Sequence, residues 1–328
     1  MYRYSVFLPN VGTCSDRYCG RYAEPFPIEE LVQRAASIPR LQGLDLVATP
    51  DLMRRAGELE SLLGDAGLQC VSIAADIFSQ GRWRQGSLCS GDEQVRTAAV
   101  AHCREVMDLC AELGSDLLTL WPGQDGYDYI FQADFIAERE RFIASVQEIC
   151  DHRPDMRVGL EYKQKEPRIR SYVNTVGTTL LMIQAVQRAQ CGLILDYGHA
   201  LLGGENPAES VAICKQFGDR LFHIHINDNY RAWDDDLIVG SVHTHEFLEF
   251  FYWLRRTGYE GWITCDQFPY REDGRDAVCE STEWLALLEA RLDAADPQAI
   301  EATLRAKDGV ASSRLLRGLS TAAVEVQA

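Results

Sequence analysis

Short apolar runs alternate with longer amphipathic stretches along the whole chain. The runs are Tyr4–Leu8, Gly43–Val47, Gln69–Ala74, Leu117–Trp121, Arg157–Glu161, Gly192–Asp196, Leu221–Ile226 and Trp262–Asp266. Most are too apolar to have a wet face, which is the mark of parallel strands covered on both sides. Between them the spacing predicts helices over Pro27–Ile38, Pro50–Ala66, Asp92–Leu113, Phe131–His152, Thr178–Ala189, Pro207–Phe217, Thr244–Thr257 and Asp276–Asp293. Asp92, Asn206 and Thr244 stand where N-caps are wanted, and Gly67, Gly114 and Gly258 stand where helices should stop. Eight strand–helix pairs predict an α/β protein, a (β/α)8 barrel spanning residues 1–296. Residues 297–328 form a C-terminal helical tail, with helix expected near Ile300–Ala306 and Ser313–Gly318 and fraying over the last ten residues.

In such a barrel, chemistry sits at the C-terminal ends of the strands. The fifth strand ends in Glu161 and Lys163, the sixth in Asp196 and His199, and the eighth in Asp266. The seventh carries His223 and His225, then Asp228 and the run Asp234, Asp235, Asp236. A single carboxylate at a strand end is as often a helix cap; four consecutive ends with three histidines point to a divalent metal. Glu161 and Lys163 lie two apart, so an extended chain aims them the same way. Asp234 and Asp236 can share one cation while Asp235 points away. One of His223 and His225 is expected as a ligand; for His223 a satisfied core or supporting role is the simpler reading.

The bulk numbers narrow the class. A 328-residue chain with 46% hydrophobic and 25% charged residues reads as an ordinary globular protein. A formal net charge of −17 argues against nucleic acid and anionic membranes as partners. No apolar run approaches the ~20 residues of a membrane helix, and the N-terminal segment lacks signal-peptide features, so the expected location is the cytoplasm. Eleven cysteines without a CxxC read as reduced, mostly buried thiols, with Cys265 facing away from Asp266. A GxxxxGK phosphate cradle is lacking, which argues against a phosphorylated ligand.

The motifs resemble those of L-rhamnose isomerase and, more distantly, xylose isomerase, metal-dependent aldose–ketose isomerases on a TIM barrel. EYKQKEP is similar to the family's Glu-x-Lys…Glu-Pro segment, LDYGH to its Asp-x-x-His, HINDN…DDDLIVGSV to its long acidic loop, and DQFP to its last Asp-Gln pair. IFSQGRWRQGSLCSGDEQVR and WPGQDGYDY resemble its loops after strands 3 and 4, so the likeness spans roughly Val71 to Asp273. The resemblance implies two ions. Glu161, Asp196, His225 and Asp266 would hold a structural one. His199, Asp234 and Asp236 would hold a catalytic one, with Asp196 reaching both. Lys163 would touch a sugar oxygen near the reacting carbons, and Trp121 would wall them. Mixed O/N ligands suit Mn²⁺, with Mg²⁺ or Co²⁺ as alternatives. The relatives also imply a homodimer or homotetramer. One departure stands out: Ser72–Asp76 offers no histidine for ring opening, and only Asp76 is polar enough to replace it.

The function expected is hydrogen transfer between C1 and C2 of a non-phosphorylated sugar, with Lys163, Asp234 and His199 as catalytic groups. Trp121, Tyr127, Phe268 and Lys163 are the expected sugar contacts, and Tyr129 and Trp83 offer further aromatic faces. The alternative is a keto-sugar C3-epimerase on the same barrel, which typically uses one metal and two glutamates. A phosphodiester nuclease would want a basic rim, and a metal-independent binding protein would survive metal dialysis.

Overall fold

A computed structural model describes residues 2–20, 22–324 and 326. Its centre is a closed barrel of eight parallel strands: β1 (Arg3–Phe7), β2 (Leu41–Ala48), β3 (Gln69–Ala75), β4 (Leu117–Leu120), β5 (Arg157–Glu161), β6 (Cys191–Asp196), β7 (Leu221–Ile226) and β8 (Trp262–Cys265). Each strand pairs with its sequence neighbours, and β1 closes on β8 with Arg3 opposite Trp262 and Val6 opposite Cys265. The apolar runs are buried on both faces because an outer layer of helices covers them. The helices are α1 (Ile28–Ala36), α2 (Pro50–Arg54), α3 (Ala56–Ala66), α4 (Glu93–Glu112), α5 (Phe135–His152), α6 (Val176–Val186), α7 (Tyr197–Leu202), α8 (Pro207–Gln216), α9 (Thr244–Thr257), α10 (Gly274–Asp293), α11 (Pro297–Ala306) and α12 (Gly309–Thr321).

The local signals explain most boundaries. Asp92 accepts from the N–H groups of Gln94 and Val95, and Asn206 caps α8 in the same way. Gly67 and Gly258 end α3 and α9 in the left-handed region, where a side chain would be strained. Four expectations need correction. The stretch predicted as one helix from Pro50 to Ala66 is two, because Arg55 leaves helical geometry (φ −106°, ψ 11°). Thr244 does not cap α9; His243 holds that position, and the Thr244 hydroxyl donates to the Gly240 carbonyl. A short helix, α7, intervenes directly after β6. Tail helix α12 continues to Thr321, past the point where fraying was expected, while residues 325, 327 and 328 lie outside the described residues.

One layer of the barrel interior is polar. Asp45, at the middle of β2, accepts from Ser5 (2.8 Å), Ser72 (2.5 Å) and Thr264 (2.8 Å). His223 Nε2 stands 3.1 Å from Asp45 Oδ1 and 2.8 Å from Thr264 Oγ1. All five side chains are fully buried, so this polar floor joins β1, β2, β3, β7 and β8 with its hydrogen bonds made. No disulfide joins the described cysteines, and Cys265 packs in the apolar core. Among the described residues no helix is long and apolar enough to cross a membrane.

Candidate metal centre

The C-terminal ends of β5 to β8 converge on one buried pocket. Glu161, the last residue of β5, has Oε1 3.2 Å from His225 Nδ1 and 3.3 Å from His199 Nδ1. Asp266, one residue beyond β8, lies 3.8 Å from His225 Nδ1. Asp196 ends β6 and does two things at once: its carboxylate accepts the His199 N–H (2.7 Å), capping α7, and it faces the same pocket. The cap reading of this residue is observed, and the same carboxylate stands where it could also serve as a ligand. Among the described residues, Glu161, Asp196, His225 and Asp266 place one ligand atom each within 4.8 Å of all the others. This is the four-residue set that the sequence pattern brings together.

The chemistry of the donors fits a hard or borderline divalent cation. Both ring nitrogens of His225 are buried and without a hydrogen-bond partner, as is His199 Nδ1. Buried polar atoms left this way ordinarily cost free energy, so a bound ion is the natural partner. Charge gives the same answer. Burial drives Asp266 up to about 7, with Glu161 and Asp196 adding to it and His225 opposing. Burial also raises Asp196, against the pull of His199. Burial would likewise raise Glu161, but His225 and His199 outweigh it and hold that carboxyl low. Burial pulls the imidazoles down, and the facing carboxylates more than reverse this, to about 10 for His225 and about 9 for His199. The clustered carboxylates favour positive charge among them, which a divalent cation would supply.

A second group adjoins the first. Asp234 Oδ2 sits 3.1 Å from His199 Nε2 and 2.8 Å from Lys163 Nζ. Lys163 also pairs with Glu166 (2.7 Å) and lies 5.5 Å from the centre of the Trp121 ring. Burial lowers the lysine's affinity for its proton, yet Asp234, Asp236 and Glu166 overcome that and raise it well above the ordinary range. Asp234 is correspondingly depressed despite burial, by Lys163 and then His199. Asp236 adjoins this group with burial and Asp234 both raising its pKa, but it is not within ligand distance of His199 and Asp234 together among the described residues.

The loop carrying these aspartates is stapled from within. Asp228 accepts from the N–H groups of Val242 (2.8 Å) and His243 (2.9 Å), and its backbone exchanges two hydrogen bonds with Leu237. Asp235 accepts the Tyr230 N–H (2.9 Å) and so plays the supporting part expected of it. Phe268 donates its N–H to the Asp236 carbonyl (3.0 Å) and keeps its ring partly exposed. Trp121 packs edge-on against Phe78. Tyr127 packs on Phe135 and Tyr172, Tyr129 is exposed, and Trp83 is fully buried with its indole N–H on the Asp76 carbonyl. Asp76 itself is bonded to Ser79, stapling its own turn.

Several contributors escaped the sequence reading. Asn10 donates to Asp266 Oδ1 (3.2 Å), and Asn227 to Asp196 Oδ2 (3.1 Å). Asn227 was visible as part of the HINDN motif; Asn10 had no signal beyond following β1. Gly198 permits this arrangement, since a Cβ there would fall 1.8 Å from Asn227 Oδ1. Phe7 packs edge-on against His225, with ring centres 5.0 Å apart.

A family model described as a xylose isomerase-like TIM barrel matches residues 40–288. The chain belongs to that family. The xylose isomerase of Thermus thermophilus is 31% identical over 224 residues, a stretch covering 66% of this chain and 57% of the relative. The chain thus aligns with little more than half the length of that curated relative. Among solved structures, an L-ribulose 3-epimerase aligns with TM-score 0.69 at 15% identity, over 90% of this chain and 99% of its own. A D-allulose 3-epimerase from Methylomonas sp. aligns with TM-score 0.67 at 17% identity, over 88% of this chain and 98% of its own. At these identities the structural likeness speaks for the fold.

Proposed function

We propose that this chain is a metal-dependent sugar isomerase that moves hydrogen between C1 and C2 of a non-phosphorylated aldose and ketose. The observation that carries the reading is the Lys163–Asp234–His199 group beside the four-residue set. Glu161, Asp196, His225 and Asp266 would hold a divalent ion, with Mn²⁺ our first choice and Mg²⁺ or Co²⁺ as alternatives. Bound there, such an ion supplies Lewis acidity to sugar oxygens. Among the described residues His199, Asp234 and Asp236 do not bring three ligand atoms together, and Lys163 already pairs with Asp234, so the reading carries one ion rather than the two that the resemblance implied.

The protein's own part follows from its geometry. Lys163 is held charged by Asp234 and Glu166, so it donates to a sugar oxygen and stabilises negative charge developing there. Trp121 presents an apolar face beside that ammonium and keeps water from the reacting carbons. His199 and Asp234, hydrogen-bonded at 3.1 Å, form a proton-holding pair at the same place. Tyr127 and Phe268 are the further sugar contacts we propose, on the loops that follow β4 and β8.

A second reading, a keto-sugar 3-epimerase, draws support from the solved structures and from Glu161 and Asp266, two carboxylates in one ligand set. One experiment separates the two. Metal-loaded protein is offered L-rhamnose, D-xylose, D-allose and D-apiose, and separately keto-sugars, and products are resolved by NMR. Ketose from an aldose supports the isomerase; conversion only between ketoses supports the epimerase. Failure of both panels with all three metals defeats the proposal. Loss of deuterium from C2 to solvent would show proton transfer, and retention a hydride shift.

A further inference from the structure

A free sugar in water is mostly a closed ring, and its carbonyl chemistry waits until the ring opens. Opening needs a proton given to the ring oxygen and a proton taken from the hydroxyl on the same carbon. One neutral hydroxyl can do both, being donor and acceptor at once. Asp76, the residue that the sequence offered for this work, is spent: one oxygen accepts the Ser79 N–H (3.0 Å) and the other the Ser79 hydroxyl (2.6 Å). The histidines outside the pocket are no better placed. His243 is bonded to Asp228 (2.7 Å) and His152 to Asp108 (3.1 Å), while His102 and His245 lie on the outer helices α4 and α9. Asp234 and Glu166 are both tied to Lys163.

Tyr270 is uncommitted. It stands four residues beyond Asp266, on the loop after β8, and that loop is fastened to the acidic loop where the Phe268 N–H meets the Asp236 carbonyl (3.0 Å). Its half-buried ring has its centre 6.5 Å from that of Phe268 and 6.3 Å from that of Tyr22, on the loop after β1. Tyr22 has used its hydroxyl, which donates to Asp16 (2.5 Å) and accepts from Arg271 (3.3 Å). Among the described residues the Tyr270 hydroxyl has no such partner. The charges that act on it belong to the Lys163 group: burial first, then Asp236, Cys14, Glu166 and Asp234 raise the phenol, so it keeps its proton through the physiological range. Cys14 is buried on the β1 side and feels Asp236 and Asp266 in turn, so the two loops meet over the same carboxylates.

We propose that Tyr270 is the catalytic residue that opens the sugar ring, its hydroxyl giving a proton to the ring oxygen and taking one from the C1 hydroxyl. As the bond from C1 to the ring oxygen breaks, the C1 carbonyl forms, and the phenol is neutral before and after. That suits its surroundings, because a phenolate beside Asp234, Asp236 and Glu166 would be repelled. The same step opens a cyclic ketose, with C2 in place of C1. The inference therefore rests on the proposed function only for the nature of the ligand, a cyclic free sugar.

Ring opening can be read by itself as mutarotation, the exchange of α and β anomers, which moves no hydrogen between C1 and C2. Metal-loaded protein is added to freshly dissolved D-xylose, L-rhamnose and D-allose, and the change of rotation is followed by polarimetry. The wild type should accelerate the exchange of at least one of them. Tyr270→Phe should reduce that acceleration by about 10²-fold or more, with metal content and circular-dichroism spectrum unchanged. A wild type that accelerates none of the three overturns the inference, and so does a folded Tyr270→Phe that works at the wild-type rate. Should Tyr270→Phe not fold, Tyr270→Met is read against the same outcomes. Anomer exchange without ketose formation would defeat the proposed hydrogen transfer and leave this step standing; ketose formation without anomer exchange would do the opposite.

Discussion

Two imidazole–carboxylate pairs lie two residues apart on β7, and they have opposite fates. His223 meets Asp45 on the barrel floor, where Ser5, Ser72 and Thr264 complete the hydrogen bonds. His225 meets Glu161 at the rim, where both of its nitrogens lack a hydrogen-bond partner and Asp196 and Asp266 crowd in without a cation of their own. Burial is the same for the two histidines, and so is the residue type. What differs is the neighbourhood: hydroxyl donors below, further carboxylates above. The lesson is that a buried His–Asp or His–Glu contact says little by itself. Whether the remaining polar atoms are satisfied separates a structural plug from a metal site.

The sharpest break of this comparison is Glu161→Gln against Asp45→Asn. Glu161→Gln should abolish metal retention and lower turnover by about 10³-fold, since Lewis-acid assistance is worth several kcal/mol; metal content by plasma spectrometry and kcat check it. Unchanged metal content would remove Glu161 from the ligand set. Asp45→Asn should do the reverse. It takes from Ser5, Ser72, Thr264 and His223 the buried carboxylate that accepts their hydrogen bonds, for which a loss of about 3 kcal/mol in denaturant unfolding is expected, with metal stoichiometry kept. A variant of Asp45 that folds normally but loses its metal would merge the two regions and end the distinction.

Metal removal separates them next. With free ion at 100 times its Kd, the loaded protein should be more stable than the chelated one by about 2.7 kcal/mol, an effect that persists in the Asp45 variant and disappears in the Glu161 variant. A smaller effect follows pH. Metal binding at the four-residue set would need Asp266, raised to about 7, in its ionised form, and His225, raised to about 10, without its proton. Loading therefore releases protons, so affinity should rise with pH from 6 to 8, by about tenfold per unit for each proton released. Calorimetry in buffers of different ionisation enthalpy reads the number; an affinity flat across that range would contradict the assignment. The smallest effect is Gly198→Ala, which drives a methyl into Asn227 and frees Asp196. About 1 kcal/mol of stability should be lost, accompanied by weaker metal retention; lost stability with unchanged metal would show that Asn227 does not position Asp196.

The barrel was legible because parallel strands covered on both faces leave unbroken apolar runs, and all eight appear in the fold within a few residues of their predicted limits. The rim was legible because a charged residue at the end of such a run has little reason to be there except chemistry or capping; Asp196 caps α7 and also faces the pocket. The floor was not. Asp45 interrupts an apolar run, and its partners lie as far away as Thr264, so nothing near it in the chain announces them. The break at Arg55 was hidden because the helical period runs on across it. The helix predicted from Phe131 begins only at Phe135, because Phe131 takes a positive φ, and Tyr129, Ile130 and Phe131 face out from the loop before it.

The bond from Asn10 to Asp266 joins the two ends of the barrel. Asn10 follows the first strand made, Asp266 the last, and Phe7 of that first strand rests its edge on His225. The pocket is therefore fastened like a buckle across the seam where the ring shuts. A nascent chain that has emerged only as far as β7 owns three of the four ligands but lacks Asp266, and the amide on the opening segment waits for it. Completion of the pocket therefore waits for the strand that closes the ring.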